Sequence, residues 1–454
     1  MRKIRILLSL FIIVSVIAGG FGLAVSADSN ADNVSAYIEK FRKETKCSSV
    51  SVAVCEGDSV SYYGDSKGLY QIGSMTKAFT GLAIQKLISE GKLSPDSKVS
   101  DFIPGFSASR NSVSYDITVN HLLTQTSGFT NSESLYPSAG KGVSLQEWAS
   151  GMSGRELQSV PGEKYSYSNV NYNLLGAIIE RVSGRPYKDY MEKEILVPLG
   201  LNNTFVVIGP EDERIVRGSR LGYRHAFCYD IRVEEGRIPA GYFYSNAEGM
   251  ALWMRIWLGK ADLPDPYREM ISEVKSHLLK EGDCYSGWEV FGNGEKGHSG
   301  GTPNYSSRIV FSEKEQTGVC VLTSLNVAAS TDSLCNGISE LVSTGNESVI
   351  AKDVWTVFDI IFSVVSVTGV LLAVYSLCTG KRVALLTCGI TLFILVTAVC
   401  TVMPVIFGAG LGEIVFIWAP FSFTGALVLL IADILLIAIK LLILGKNADR
   451  KKTS

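Results

Sequence analysis

The chain is poor in histidine. Its 454 residues hold four, His121, His225, His277 and His298, and no two of them stand at a metal-ligand spacing. The nine cysteines are scattered, with no Cys-x-x-Cys pair. A zinc site is built from such clusters, so both shortages point away from one. Charge is nearly balanced, at a formal −2. No basic stripe with interleaved aromatics interrupts the polar part, which excludes the electrostatic footprint of a nucleic-acid binder. There is no internal repeat, so a solenoid is excluded as well. No cysteine closely follows the N-terminal apolar run, which argues against a lipoprotein anchor.

Apolar sequence is what the chain has in excess, with a mean hydropathy of +0.21, and the excess lies at the two ends. Arg2, Lys3 and Arg5 precede an apolar run from Ile6 to Ala18, and Val25-Ser26-Ala27 supplies small residues for cleavage. Residues 1–27 are therefore expected to be a secretory signal peptide. Three apolar stretches, Val354–Cys378, Val383–Phe407 and Ile414–Leu444, have the length that crosses a bilayer. Lys381 and Arg382 lie between the first two, and Lys446, Arg450, Lys451 and Lys452 follow the third. The positive-inside rule places these basic residues in the cytoplasm. The expected plan is an extracytoplasmic domain over 28–345, a membrane domain over 346–445 and a cytoplasmic tail over 446–454. Asp433 falls within the third stretch. It is a functional candidate if it lies deep in the bilayer, and a solvated boundary residue if the span starts at Ile414. Asp359 is expected at the interface, and Lys440 is expected to snorkel.

Between the apolar ends, strands are expected at Ser49–Val54, Ser59–Tyr63, Tyr285–Phe291, Ser307–Phe311 and Val319–Leu322. Helical patterns run over Val34–Lys43, from Ser74 to Gly91, over Ile117–Thr124 and from Asn171 to Gly184. The charged stretch 208–236 supports no assignment. Strands from both ends of this part with helices between them predict an α+β fold, one antiparallel sheet completed by both termini and a helical lobe from the middle.

Ser74-Met75-Thr76-Lys77 stands at the head of the second helical pattern, with Phe79, Leu82, Ala83, Leu87 and Ile88 on its apolar side. A spacing of three places the hydroxyl and the amine on one helix face. A serine needs a neighbouring base to act as a nucleophile, and a lysine one turn away can be that base. Free N–H groups at the helix start can hold a developing oxyanion. The same spacing recurs at Ser138…Lys141, in a glycine-rich loop, and at Ser272…Lys275, on a polar helix face. Only the first pair heads a helix with a buried face.

Two further stretches, Tyr167-Ser168-Asn169 and His298-Ser299-Gly300, follow Ser74-Met75-Thr76-Lys77 in order. Together the three motifs resemble the serine β-lactamase and penicillin-binding protein superfamily, and within it the S12 peptidases and class C β-lactamases. The resemblance covers residues 33–342 and extends to Leu122–Gly128, Pro161-Gly162 and Pro198–Leu201. Three C-terminal membrane stretches, Pro239-Ala240-Gly241-Tyr242, Pro303–Ser307 and Trp418-Ala419-Pro420 are similar to the membrane-anchored D-amino-acid-specific peptidases of nonribosomal peptide pathways, of the colibactin-maturing type.

The resemblance implies a β-lactamase/transpeptidase-like fold in which Ser74 attacks a carbonyl and Lys77 and Tyr167 move protons. The amides of Ser74 and Gly301 would form the oxyanion hole, and Asn169 would bind Lys77 or the substrate amide. His298 and Gly300 belong to the far wall. Thr302 and Tyr244 stand where recognition residues differ between members, and Asn169 competes with Asn171 for the position after Tyr167. No cofactor is implied. The expected reaction is hydrolysis of an amide after a D-amino acid, in maturation of, or resistance to, a nonribosomal peptide. The expected partners are a peptide substrate, the lipid bilayer and an exporter. A D-Ala-D-Ala carboxypeptidase or β-lactamase, and an S12-type esterase, are the alternatives.

Overall fold

The computed structural model describes residues 27–130, 142–231 and 233–453. The expected signal peptide, apart from Ala27, and the Ser138…Lys141 pair lie outside them. The elements that position the site begin with helix α1 (Ala27–Thr45) and strands β1 (Val50–Glu56) and β2 (Ser59–Gly64). Helix α2 (Thr76–Ser89) and helix α3 (Asn169–Ser183) form the centre of a helical lobe, and the hairpin β3 (Ser219–Gly222) and β4 (His225–Cys228) follows. Five more strands come next: β5 (Cys284–Tyr285), β6 (Trp288–Val290), β7 (Lys296–Thr302), β8 (Tyr305–Ser312) and β9 (Thr317–Thr323). Helix α4 (Ala328–Thr344) closes this part, and α5 (Val354–Cys378), α6 (Arg382–Phe407) and α7 (Phe421–Thr453) form a bundle.

The sheet has seven antiparallel strands in the order β5–β6–β7–β8–β9–β1–β2. Both termini of the sheet-forming part thus meet in it, as expected. Strand β1 reads as an almost unbroken apolar run because both of its faces are covered. Ala53 and Cys55 point with Cys320 and Leu322 into the core of the helical lobe. Val50, Val52 and Val54 point with Val319 and Val321 against Phe41, Leu334 and Ile338 of the two helices behind the sheet. In the lobe core Phe79 stacks on Trp253, with ring centroids 4.1 Å apart. Truncation of such a buried ring costs about 3–5 kcal/mol.

Three sequence expectations need correction. Tyr285–Phe291 is not one strand: the chain turns at Ser286-Gly287 to form the β5–β6 hairpin. Gly287 has φ +85°, and a Cβ there would lie 2.3 Å from the amide of Ala78, so the turn is pressed against α2. Helix α3 starts at Asn169, two residues before the expected Asn171. The third apolar stretch is not one helix either. A short helical segment, Leu411–Trp418, ends before Pro420, and α7 starts afresh at Phe421. Proline lacks the N–H that would continue the ladder, and it restricts the residue before it.

Three helices, Val354–Cys378, Arg382–Phe407 and Phe421–Lys446, are long and apolar enough to cross a membrane. With the third starting at Phe421, Asp433 sits near its midpoint rather than at its boundary. Asp359, expected at the interface, is fully buried within the protein, with Oδ1 accepting from Ser422 Oγ at 2.7 Å and Oδ2 from the Arg224 amide at 2.8 Å. Lys440 Nζ donates to the Leu377 carbonyl at the end of α5, 2.6 Å away.

The unassigned stretch 208–236 holds the β3–β4 hairpin, which docks on the bundle. Buried Arg220 donates to the carbonyls of Phe416 at 2.9 Å, Val415 at 2.7 Å and Ala419. These carbonyls lose their intrahelical donors at the Pro420 break. The guanidinium also lies against the Tyr229 and Phe421 rings, 5.2 and 4.7 Å from their centroids. One arginine therefore caps the broken helix and ties the sheet domain to it.

Candidate active site

Ser74 sits in a tight turn, Gly73–Met75, that leads straight into α2. Gly73 has φ +51°, and a Cβ there would lie 2.4 Å from the amide nitrogen of Gly301. Only glycine permits both that backbone conformation and that approach. The turn and strand β7 are thereby held edge to edge. Thr76 fastens the turn further, donating to the Gly73 carbonyl at 2.7 Å and accepting from the Phe243 amide at 3.2 Å.

Lys77 is fully buried. Its Nζ donates to Ser74 Oγ at 2.9 Å, to Asn169 Oδ1 at 2.7 Å and to the Ala240 carbonyl at 2.7 Å. An ammonium uses all three contacts as donor bonds. A neutral amine can keep the two carbonyl acceptors and turn its lone pair to the serine hydroxyl. The site can therefore hold the lysine on either side of a proton transfer without moving it.

Tyr167 donates to Ser74 Oγ at 2.7 Å. Desolvation pushes its phenol well above its ordinary pKa, and the hydrogen bond to Ser74 pulls the other way only in part. At neutral pH it is a proton donor. His298 stands beside it, ring centroids 6.0 Å apart, with Nδ1 2.6 Å from the Ser299 carbonyl. Burial lowers the pKa of this imidazole, which keeps it neutral.

The structure chooses between the two asparagines after Tyr167. Asn169 meets Lys77, whereas Asn171 faces away: its Oδ1 accepts from Ser127 Oγ at 2.5 Å and its amide donates to Gln125 Oε1. Gly300 packs against the Ile72 carbonyl, where a Cβ would come within 2.2 Å. Gly301 has open space on its Cβ side. It borders a cavity of about 410 Å³ together with Ser74, Tyr167 and Asn169.

Thr302 and Tyr244 are not brought to this cavity. The Thr302 hydroxyl serves the β7–β8 turn, donating to Asn304 Oδ1 and accepting from the Tyr305 amide, both at 3.1 Å. Tyr244 accepts from Gln71 Nε2 at 2.9 Å and borders a separate cavity of about 680 Å³. Ser272…Lys275 is a surface pair, with Lys275 bridged to Glu313 at 2.5 Å.

Sequence reasoning missed the opposite wall. The Ser74 cavity is also bordered by Trp355, Phe407, Glu413, Ile414 and Trp418. These lie at the ends of the bundle helices nearest the sheet domain. Glu413 accepts from Trp418 Nε1 at 3.0 Å. Nothing in the local sequence links residues more than 270 positions beyond Ser74 to it; the docking of the β3–β4 hairpin and the hold of Asp353 on the Ala329 amide do. Among the described residues no group of three or more His, Cys, Asp or Glu side chains could hold a metal ion.

The family described as Beta-lactamase matches residues 34–338. Protein flp of Staphylococcus aureus (strain NCTC 8325 / PS 47) is 32% identical over 268 residues, 57% of this chain and 53% of that protein. A putative D-alanyl-D-alanine carboxypeptidase of Escherichia coli (strain K12) is 38% identical over 145 residues, 30% of this chain and 33% of that one. The chain thus spans about half the length of Protein flp and a third of the carboxypeptidase. Among solved structures, a class C beta-lactamase superposes with TM-score 0.61 at 18% identity, over 73% of this chain and 100% of that one. The octameric penicillin-binding protein homologue from Pyrococcus abyssi superposes with TM-score 0.58 at 24% identity, over 70% and 78%. These two likenesses concern the fold alone.

Proposed function

The chain belongs to the beta-lactamase family, and we propose that within it the chain is an S12-type, membrane-anchored serine peptidase that cleaves an amide after a D-amino acid. Its substrate is an acylated peptide of nonribosomal origin, either matured from a precursor or destroyed as self-defence. The hydrolase part lies outside the cell membrane and the C-terminal tail inside, with an exporter as the source of substrate. The observation that carries this reading is the shared cavity: the nucleophile Ser74 and the apolar helix ends Trp355, Phe407 and Ile414 border one space. An acyl chain held at a bilayer surface would enter such a space directly.

In this reading Ser74 Oγ bonds to the carbonyl carbon while its proton passes to the Lys77–Tyr167 pair. The oxyanion lies between the Ser74 and Gly301 amides. Tyr167 gives a proton to the departing amine as the C–N bond breaks, leaving an acyl-enzyme on Ser74. Water then attacks the ester, and Ser74 recovers its proton.

The test is a pair of acyl-dipeptides differing only in the configuration of the residue before the scissile bond, assayed with the full chain. A well-fitted site should favour the D form by more than about tenfold in kcat/KM, or roughly 1.4 kcal/mol or more. Equal turnover of both forms, or cleavage of simple esters alone, would move the assignment to an esterase. Protease added outside intact cells should remove the hydrolase part and spare a C-terminal tag; digestion of the tag would overturn the orientation.

A second reading has support of its own. The similarity to a putative D-alanyl-D-alanine carboxypeptidase favours release of a terminal D-alanine, or opening of a β-lactam ring, by the same serine. Turnover of cell-wall peptides or cephalosporins exceeding that of acyl-D-dipeptides would select it.

A further inference from the structure

The tip of the β3–β4 hairpin is a two-residue turn, Tyr223-Arg224, with φ +49° and +61°. Turns of this kind ordinarily take asparagine and glycine, and a bulky side chain there is strained. Such strain persists where the surroundings fix it. Here the bundle does so. The Arg224 amide donates to Asp359 Oδ2 at 2.8 Å, and the Tyr223 hydroxyl shares a hydrogen bond with Ser366 Oγ at 3.3 Å. Ser366 lies two turns further along α5 than Asp359, about 10 Å at 1.5 Å per residue. The Tyr223 ring therefore runs down the side of a helix that is long and apolar enough to cross a membrane.

The ring is not enclosed there. Tyr223 is 43% exposed, and Phe227, whose ring meets Phe421 edge-on at 5.9 Å, is 44% exposed. On either side of Ser366, α5 exposes Val364 and Val367. Aromatic surface of the hairpin thus continues the aliphatic surface of the bundle. Apolar surface of this kind is disfavoured in water. A tyrosine, apolar in its ring and polar at its end, suits the boundary between lipid headgroups and acyl chains.

The polar parts of the hairpin limit how deep it goes. Arg224 turns its guanidinium back, with Nη2 donating to the Glu44 carbonyl near the end of α1 at 3.4 Å. The hairpin is a two-stranded sheet, so the outer edge of β4 has no neighbouring strand among the described residues. Backbone groups on such an edge are costly in hydrocarbon and need water or headgroups. The strands therefore stay at headgroup level, and only the rings reach further.

We infer that the β3–β4 hairpin is a membrane-contacting element of the hydrolase part itself, with the rings of Tyr223 and Phe227 against the acyl chains of the adjoining leaflet. The inference rests on the reading of α5, α6 and α7 as membrane-spanning helices. It makes the hydrolase part a lipid-seated body rather than a domain tethered above the bilayer.

The test uses the unsubstituted full chain in vesicles of phosphatidylethanolamine and phosphatidylglycerol. The vesicles carry a phospholipid with a diazirine near the carbonyl end of one acyl chain. After irradiation, lipid adducts are mapped along the chain by mass spectrometry. Val364 reports the bundle, and the exposed Leu279 reports the solvated surface of the hydrolase part. Adducts at Tyr223 and Phe227 should exceed those at Leu279 by about tenfold, as for side chains seated at the headgroup–acyl boundary. Hairpin yields no higher than that of Leu279, with Val364 labelled, would overturn the inference and leave the bundle reading standing. Water or a second copy of the chain would then cover the hairpin. No adducts at Val364 would sink the membrane-spanning reading of the bundle, and the inference with it.

Discussion

Lys77 and Asp433, buried in the two halves of this chain, have opposite surroundings. Lys77, in the helical lobe, meets the oxygens of Ser74, Asn169 and Ala240 within 2.9 Å. Asp433, in the bundle, is 3% exposed, and its Oδ2 has no partner among the described residues. The lobe folds loops from distant sequence across α2 and so delivers acceptors to the lysine. Near the middle of the bundle the neighbour is Gly369, where a Cβ would lie 3.5 Å from the aspartate oxygen. Asp359 and Ser422, with Arg220 and Arg224 of the hairpin, are bonded at the end of the bundle that meets the sheet domain. The bundle carboxyl nearest the sheet domain, Asp359, is bonded through both oxygens, while Asp433 lies away from that seam.

Five substitutions would break or sharpen that contrast. Ser74→Ala should abolish fluorophosphonate labelling and reduce hydrolysis by about 10⁴-fold or more; labelling that survives at Ser272 would refute the assignment. Lys77→Ala and Tyr167→Phe should each cost about 10²–10⁴-fold in kcat. Because both act on the Ser74 oxygen, the double variant should lose about as much as the worse single one. Additive losses in free energy would mean that the two groups do not share one proton path.

At the seam, Arg220→Leu removes the donor that the Val415, Phe416 and Ala419 carbonyls share. It should destabilise the chain by about 2–4 kcal/mol, read as a fall in the thermal midpoint in detergent. Turnover of acylated peptides should fall with it, since Trp418 on the cavity wall belongs to the capped segment. An unshifted midpoint would show that the hairpin does not hold the bundle. The smallest effect belongs to Asp433→Leu. With no hydrogen bond to lose among the described residues, the variant should lie within about 1 kcal/mol of the wild-type chain or above it. A loss beyond about 2 kcal/mol would reveal a partner and make the two buried groups alike after all.

The motifs were legible because their chemistry is short-range. Ser74 and Lys77 share a face through helix geometry alone, and Tyr167-Ser168-Asn169 and His298-Ser299-Gly300 are contiguous. The hairpin β1–β2 showed in the turn at Glu56-Gly57-Asp58 between two strand-like runs. Legibility failed where a local signal had a rival. An apolar run hid the turn at Ser286-Gly287, whose bend is imposed by contact with α2. The third apolar stretch read as one helix, although Pro420 was there to mark the break. Thr302 and Tyr244 stand near the motifs in sequence, yet one is consumed by a turn and the other faces a neighbouring cavity.

The sequence by itself determined the fold class, the placing of Ser74 and Lys77 on one helix face, and the three bilayer-length stretches, because each follows from periodicity, spacing or length along the chain. Only the tertiary structure decided that Asn169 rather than Asn171 meets Lys77, 92 positions away, and that the Ala240 carbonyl, 163 positions away, is a further acceptor. It alone brought Arg220 to the Val415 carbonyl across 195 positions, and so set the bundle helices as a wall of the catalytic cavity. Contacts at such separations depend on how whole elements pack, and no local pattern of residues encodes which side chain will be waiting on the far side.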